Sequence, residues 1–192
     1  MPELDKRDIY VGTRLGGKFY PFAPEREPVL LDEVVRSLAA TCRWRGHTLG
    51  VLSVAEHSVM VARQVAPEHR LYALLHDAGE AYLCDMPAPL KHFSFFRVPD
   101  GRGGVEEIPF SVVEEGILQA VLRSVGLPGG PMPREVFDAD LRVRLFEHEQ
   151  LVVPECSTGF TPMSAVDAEA SWWFFYEQWV VAAPRAMKVG VN

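Results

Sequence analysis

Apolar residues recur at helical spacing in several separate stretches of the chain. Between positions 30 and 41, Leu30, Leu31, Val34, Val35, Leu38 and Ala39 fall three or four apart and line one helical face. Ser53 with Glu56 three residues later has the form of a capping box, and residues 54–65 continue as a helix. Pro67 opens the next segment, whose stripe Leu71, Leu74, Leu75, Ala78 and Ala81 ends near Asp85. Met86-Pro87-Ala88-Pro89 is expected to be extended, because proline removes a donor and biases its predecessor away from the helix. Residues 92–109 read as a long loop, followed by helices over 112–125, 134–152 and 166–182, the last carrying Trp172, Trp173 and Trp179. Residues 1–28 form an irregular Gly-, Pro- and aromatic-rich arm that admits a short strand pair. About six helices and almost no strand predict an all-α compact bundle in one domain over residues 1–192.

Composition narrows the class. At 192 residues and 48% hydrophobic positions, the chain can bury a sizeable core, and no run approaches the length of a membrane span. Its 26 acids against 19 bases, net charge −7, argue against a basic nucleic-acid groove. Cys42, Cys84 and Cys156 are scattered and form no Cys-x-x-Cys pair, which suits reduced thiols. With no signal-peptide pattern at the start, the expectation is a cytoplasmic protein without nucleic-acid or membrane partners.

The chemistry centres on His76-Asp77, set in an otherwise apolar helical stretch. Neighbouring helical residues point about 100° apart, and burying both is costly unless something neutralises them. A divalent cation does so with an imidazole nitrogen and a carboxylate oxygen. A bare His-Asp dipeptide is far more often an ordinary polar face. His57 by itself suits a hydrogen-bonded core histidine, and Asp140 a surface acid. Glu80, one turn after His76, suits a solvated side chain or one that orients water. Together, His57, His76, Asp77 and Asp140 make a two-imidazole, two-carboxylate set that leaves positions for water and substrate.

The succession Arg43-Trp44-x-Gly46-His47-Thr48, Ser53-Val54-Ala55-Glu56-His57-Ser58-Val59, Leu75-His76-Asp77-Ala78-x-Glu80-Ala81-Tyr82, Asp85-Met86-Pro87-x-Pro89-Leu90-Lys91 and Ala139-Asp140-x-Arg142, with Glu147 seven residues after Asp140, resembles the HD-domain metal-dependent phosphohydrolases. The likeness is to their single-metal branch, which contains bacterial 5′-deoxynucleotidases and phage deoxynucleotide triphosphohydrolases. It implies the HD-domain helical fold and one divalent transition metal ion (Mn, Co, Zn, Fe or Ni) held by His57, His76, Asp77 and Asp140. It implies that Glu80 activates water and Asp85 assists the leaving oxygen. Arg43 and Lys91 would contact phosphate, and Trp44 the base or sugar. A homodimer is also implied, with the aromatic C-terminal helix as core cap or dimer face.

The expected reaction is hydrolysis of deoxynucleoside 5′-monophosphates to deoxynucleoside and phosphate. Release of tripolyphosphate from a dNTP is the alternative, for which Arg45, Arg97 and Arg102 offer extra charge. An inert nucleotide-binding module is the second alternative. Trp44, Leu52 and the stretch 87–89 are candidates for a wall that excludes a 2′-hydroxyl. Phe93, Phe95, Phe96 and Arg97 form either a lid over the nucleotide or a solvated insertion.

Overall fold

The computed structural model describes residues 5–153 and 159–181, which leaves Cys156 and the end of the last expected helix outside the described residues. The helices are α1 (Leu31–Ala40), α2 (Val54–Ala62), α3 (Arg70–Leu75), α4 (Glu80–Leu83), α5 (Ala88–Lys91), α6 (Phe110–Ser124), α7 (Arg134–Glu147) and α8 (Ala165–Tyr176). Helix α2 is the axis, packed against α1, α3, α7 and α8. It is buried almost all round, from Val54 to Ala62 with Met60 partly exposed, as a central helix must be. His57 therefore lies in the core, where its nitrogens need partners. Ser53 accepts from the Glu56 N–H at 3.1 Å, the first half of the expected box, while Glu56 Oε2 accepts from the Met163 N–H at 2.9 Å.

The all-α expectation is corrected: two small antiparallel sheets accompany the helices. Strands β1 (Val11–Gly12) and β2 (Lys18–Phe19) pair in the N-terminal arm. The stretch expected as a long loop is instead a hairpin of β3 (Phe95–Pro99) and β4 (Val105–Pro109), in register from Phe95↔Pro109 to Pro99↔Val105. Its prolines sit at strand ends, where a missing donor is tolerated. Its turn is closed by Asp100, whose Oδ1 accepts from the Arg102 and Gly104 N–H groups at 2.8 Å. Phe96 packs edge-on to Phe22 and stacks on Phe110, anchoring the hairpin to the arm and to α6.

Two local expectations also change. The segment from Pro67 to Asp85 is not one helix, because α3 stops at Leu75 and tight bonds from Ala78 N–H to Leu75 O and Glu80 N–H to Asp77 O lead into α4. A side chain at Gly79 would meet Glu114 Cγ at 2.9 Å and its carbonyl oxygen at 3.0 Å, so this turn is shaped by the close approach of α6. Likewise Ala88–Lys91 is a helical turn and not extended. Pro89 is accommodated in its first turn, where backbone donors lack helical partners anyway.

Trp172 is fully buried, stacks on Tyr176 and donates its indole N–H to Leu74 O at 3.1 Å. No helix among the described residues is long and apolar enough to cross a membrane.

Tyr82 on α4 stacks on Phe19 with ring centroids 3.6 Å apart. Burial, assisted by the Glu33 carboxylate, pushes its phenol up to about 12. An unfolded tyrosine titrates near about 10. The folded state holds this proton more tightly, so the contribution is full below the unfolded value and is lost as pH rises through the folded one. Tyr82→Phe is expected to flatten the fall in Tm between about pH 10 and pH 12, measured by thermal melts against the parent chain.

Candidate functional site

Three pieces of backbone bring the polar residues together. His57 comes from the middle of α2, His76 and Asp77 from the turn between α3 and α4, and Asp140 from α7. The tightening after Leu75 turns His76 and Asp77 to the same point, so their Nε2 and Oδ2 atoms stand 3.3 Å apart. His57 Nε2 lies 3.3 Å from His76 Nε2, 3.2 Å from Asp140 Oδ1 and 3.5 Å from Asp77 Oδ2. His57, His76 and Asp140 form a group that could hold a metal ion, each offering one donor atom within 4.8 Å of the others. Asp77 stands beside that group, its Oδ2 shared with Arg43 Nη1 at 3.3 Å.

The donor set fits a divalent cation. Two ligands each about 2.1 Å from one ion, at tetrahedral or octahedral angles, stand roughly 3.0–3.4 Å apart. The distances from His57 Nε2 to the other three atoms and from His76 Nε2 to Asp77 Oδ2 lie close to this, while His76 Nε2 and Asp140 Oδ1 stand wider at 4.0 Å. The imidazoles are also held so that their lone pairs converge. His57 Nδ1 faces Glu147 Oε1 at 2.6 Å, and His76 Nδ1 faces the Ala73 carbonyl at 2.7 Å. Both partners are acceptors, so each ring donates from Nδ1 and, when neutral, presents an Nε2 lone pair toward the carboxylates. Four such electron-rich atoms require a proton or a cation among them.

Charge on these groups follows from their neighbours. Burial would raise the Asp77 carboxyl, but His76, His57 and Arg43 outweigh it and hold it well below the carboxylate range. Burial likewise opposes ionisation of Asp140, which His57 and His76 nonetheless keep low. Burial and Arg43 push the His57 imidazole down, while Glu147 and Asp140 push it up and prevail. Glu80 behaves oppositely: burial first, then Asp77 and Asp85, push its carboxyl well above its ordinary value. Its Oε2 is buried with no hydrogen-bond partner.

The group opens onto a cavity of about 320 Å³ whose walls include Arg43, Trp44, Asp77, Glu80, Asp85, Lys91 and Asp140. Of the nine residues expected as metal ligands, catalytic groups or substrate contacts, seven thus line one pocket, with His57 and His76 buried behind it. Their contacts refine the expected roles. Arg43 is buried, its Nε 3.1 Å from Glu147 Oε2. Trp44 donates its backbone N–H to Asp85 at 3.1 Å and its indole N–H to Glu147 Oε2 at 3.0 Å. Trp44 and Arg45 both sit at positive φ, 55° and 56°, a conformation unfavourable for bulky residues, and Trp44 is held in it by these two bonds. Lys91 Nζ bonds Glu114 at 2.8 Å and reaches Glu80 at 3.9 Å.

Of the further candidates, the stretch 87–89 also lines the pocket, and the rest stand apart. Leu52 is fully buried and does not line the pocket. Phe93, Phe95, Phe96, Arg97, Arg45 and Arg102 do not line it either, whereas Arg144, which the sequence did not single out, does. Glu147 was also unassigned. Its signal is legible in retrospect, because Val136, Ala139, Val143 and Glu147 make a buried stripe along α7 with a carboxylate in a core position.

No family model matches the chain. It is 33% identical over 119 residues to the uncharacterized protein YfdR of Escherichia coli (strain K12), covering 62% of this chain and 60% of that protein. It is 33% identical over 140 residues to the uncharacterized protein RCAP_rcc00048 of Rhodobacter capsulatus, covering 67% of this chain and 65% of that protein. The chain thus spans less than two thirds of the length of either relative.

Proposed function

We propose that the chain is a metal-dependent phosphohydrolase that converts deoxynucleoside 5′-monophosphates to deoxynucleoside and phosphate. The observation that carries this reading is the meeting of His57, His76, Asp77 and Asp140 at one wall of a pocket that also presents Glu80, Asp85, Lys91 and Arg144. Asp77, Glu80, Asp85 and Asp140 bring four carboxyl groups to this pocket against Arg43, Lys91 and Arg144, so a phosphate dianion needs further positive charge to enter. A bound divalent cation would supply that charge, stabilise the developing negative oxygens and acidify a water.

The protein's own groups do the rest. Lys91 and Arg144 draw the phosphate into the pocket, and Arg43 holds Asp77 in place. Glu80, shielded from solvent and strongly basic when ionised, takes the proton from the water that attacks phosphorus. As the bond from phosphorus to the 5′ oxygen breaks, Asp85 gives that oxygen a proton. Burial pushes the Asp85 carboxyl up, against the pull of Arg43, so it holds a proton more readily than an ordinary aspartate. The apolar stretch Met86–Pro89 lines one wall, and the Trp44 indole N–H is already taken by Glu147. A 2′-hydroxyl against that wall would lose its water without gaining a partner, which favours deoxyribose.

Product analysis tests this. Stripped protein resupplied in turn with manganese, cobalt or zinc is incubated with ribo- and deoxynucleoside mono- and triphosphates. The expected products are phosphate and deoxynucleoside from the monophosphates alone. Tripolyphosphate from a dNTP would replace the substrate, and no turnover with any ion would leave a binding module. Glu80→Gln is expected to lower kcat by about 10²- to 10⁴-fold while bound metal, measured by elemental analysis, stays unchanged.

A further inference from the structure

We infer that Glu147 is a positioning residue that joins the two halves of the site: one oxygen sets the tautomer of His57, and the other holds Arg43 and Trp44 in the pocket wall. The inference rests on reading His57 as a cation ligand. Glu147 is fully buried, so its carboxylate must be satisfied by the protein around it. Its Oε1 faces His57 Nδ1 at 2.6 Å, and its Oε2 accepts from Arg43 Nε at 3.1 Å and Trp44 Nε1 at 3.0 Å. An ionised carboxylate only accepts, so His57 must carry its proton on Nδ1, and its Nε2 lone pair then faces His76, Asp77 and Asp140.

A glutamine of the same shape cannot serve all three partners. Arginine and the indole nitrogen can only donate, so the amide oxygen must stay on their side. The amide NH₂ then faces His57 Nδ1, which has to become an acceptor. The ring proton moves to Nε2 and points into the ligand group. Exchanging one carboxylate oxygen for an amide NH₂, with little change of volume, therefore closes the cation site from behind while Arg43 and Trp44 keep their bonds.

The test uses the full chain. Two-bond ¹H–¹⁵N spectra of metal-free protein, which report on each ring nitrogen separately, followed upward in pH until the His57 ring is neutral, are expected to show it protonated on Nδ1 in the parent and on Nε2 in Glu147→Gln. Calorimetric titration with zinc and with manganese is expected to show affinity lowered about 10- to 100-fold in the variant, with its thermal unfolding still cooperative. A parent chain with the neutral His57 proton on Nε2, or a variant that binds both ions as the parent does, overturns the inference. If Glu147→Gln does not fold, the parent spectrum alone decides. A parent that takes up neither ion overturns the inference, whereas a parent that binds an ion but hydrolyses no nucleotide sinks only the phosphohydrolase reading.

Discussion

Asp77→Ala is expected to abolish both bound divalent metal and phosphate release, with turnover down by about a thousandfold or more. Asp77 Oδ2 serves two purposes. It stands 3.3 Å and 3.5 Å from the two imidazole Nε2 atoms, and 3.3 Å from Arg43 Nη1. Its loss removes a carboxylate beside the His57, His76 and Asp140 group and leaves the buried guanidinium relying on Glu147. The remaining cluster has less negative charge to retain a divalent ion, and Arg43 Nη1 loses its carboxylate partner in the pocket while its Nε stays on Glu147. Elemental analysis of metal-loaded protein and a phosphate-release assay check the two outcomes separately. Full activity with normal metal content would sink the assignment of this site.

The largest expected effect on stability is from Trp172→Ala. This side chain is completely enclosed, stacked on Tyr176, and bonded to Leu74 O on α3. It ties α8 to the helix that leads into the His76-Asp77 turn. Truncation leaves a cavity and a buried carbonyl without its donor, and large-to-small changes of this kind cost about 3–5 kcal/mol. For a chain of this length, that corresponds to a fall in Tm of roughly 6–20 °C. A fall of less than about 2 °C in a calorimetric scan would mean that α8 is not part of the cooperative core. Because α8 contributes no residue to the pocket, metal affinity should fall far less than in Asp77→Ala.

The helices with long apolar stripes were legible because burial repeats every three or four residues. In α1, Val34, Val35, Leu38 and Ala39 are all buried as the stripe requires. The hairpin was not legible. Phe95–Pro99 and Val105–Pro109 are short, flank a glycine-rich turn and carry prolines, so their local signal is that of a loop. Only pairing across the turn and packing of Phe96 on Phe22 and Phe110 make them strands. The break after Leu75 was invisible for a related reason. The stripe continues through Ala78 and Ala81, but the nearness of α6 at Gly79 and the bonds of the tight turn end the regular helix.

By itself the sequence determined the types of residue available for chemistry: two imidazoles, several carboxylates and a few cations, set among residues that must be buried. That follows from side-chain chemistry and periodicity, which are local. Whether His57, from α2, would face His76 and Asp140 is a matter of how helices cross, and the tertiary structure decided it. It also decided which cations reach the pocket, bringing in Arg144 and leaving out Arg45, Arg97 and Arg102. Above all, it decided the role of Glu147. A glutamate ninety positions from His57 has no local mark of partnership, and only the packing of α7 on α2 brings its oxygen to within 2.6 Å of that ring.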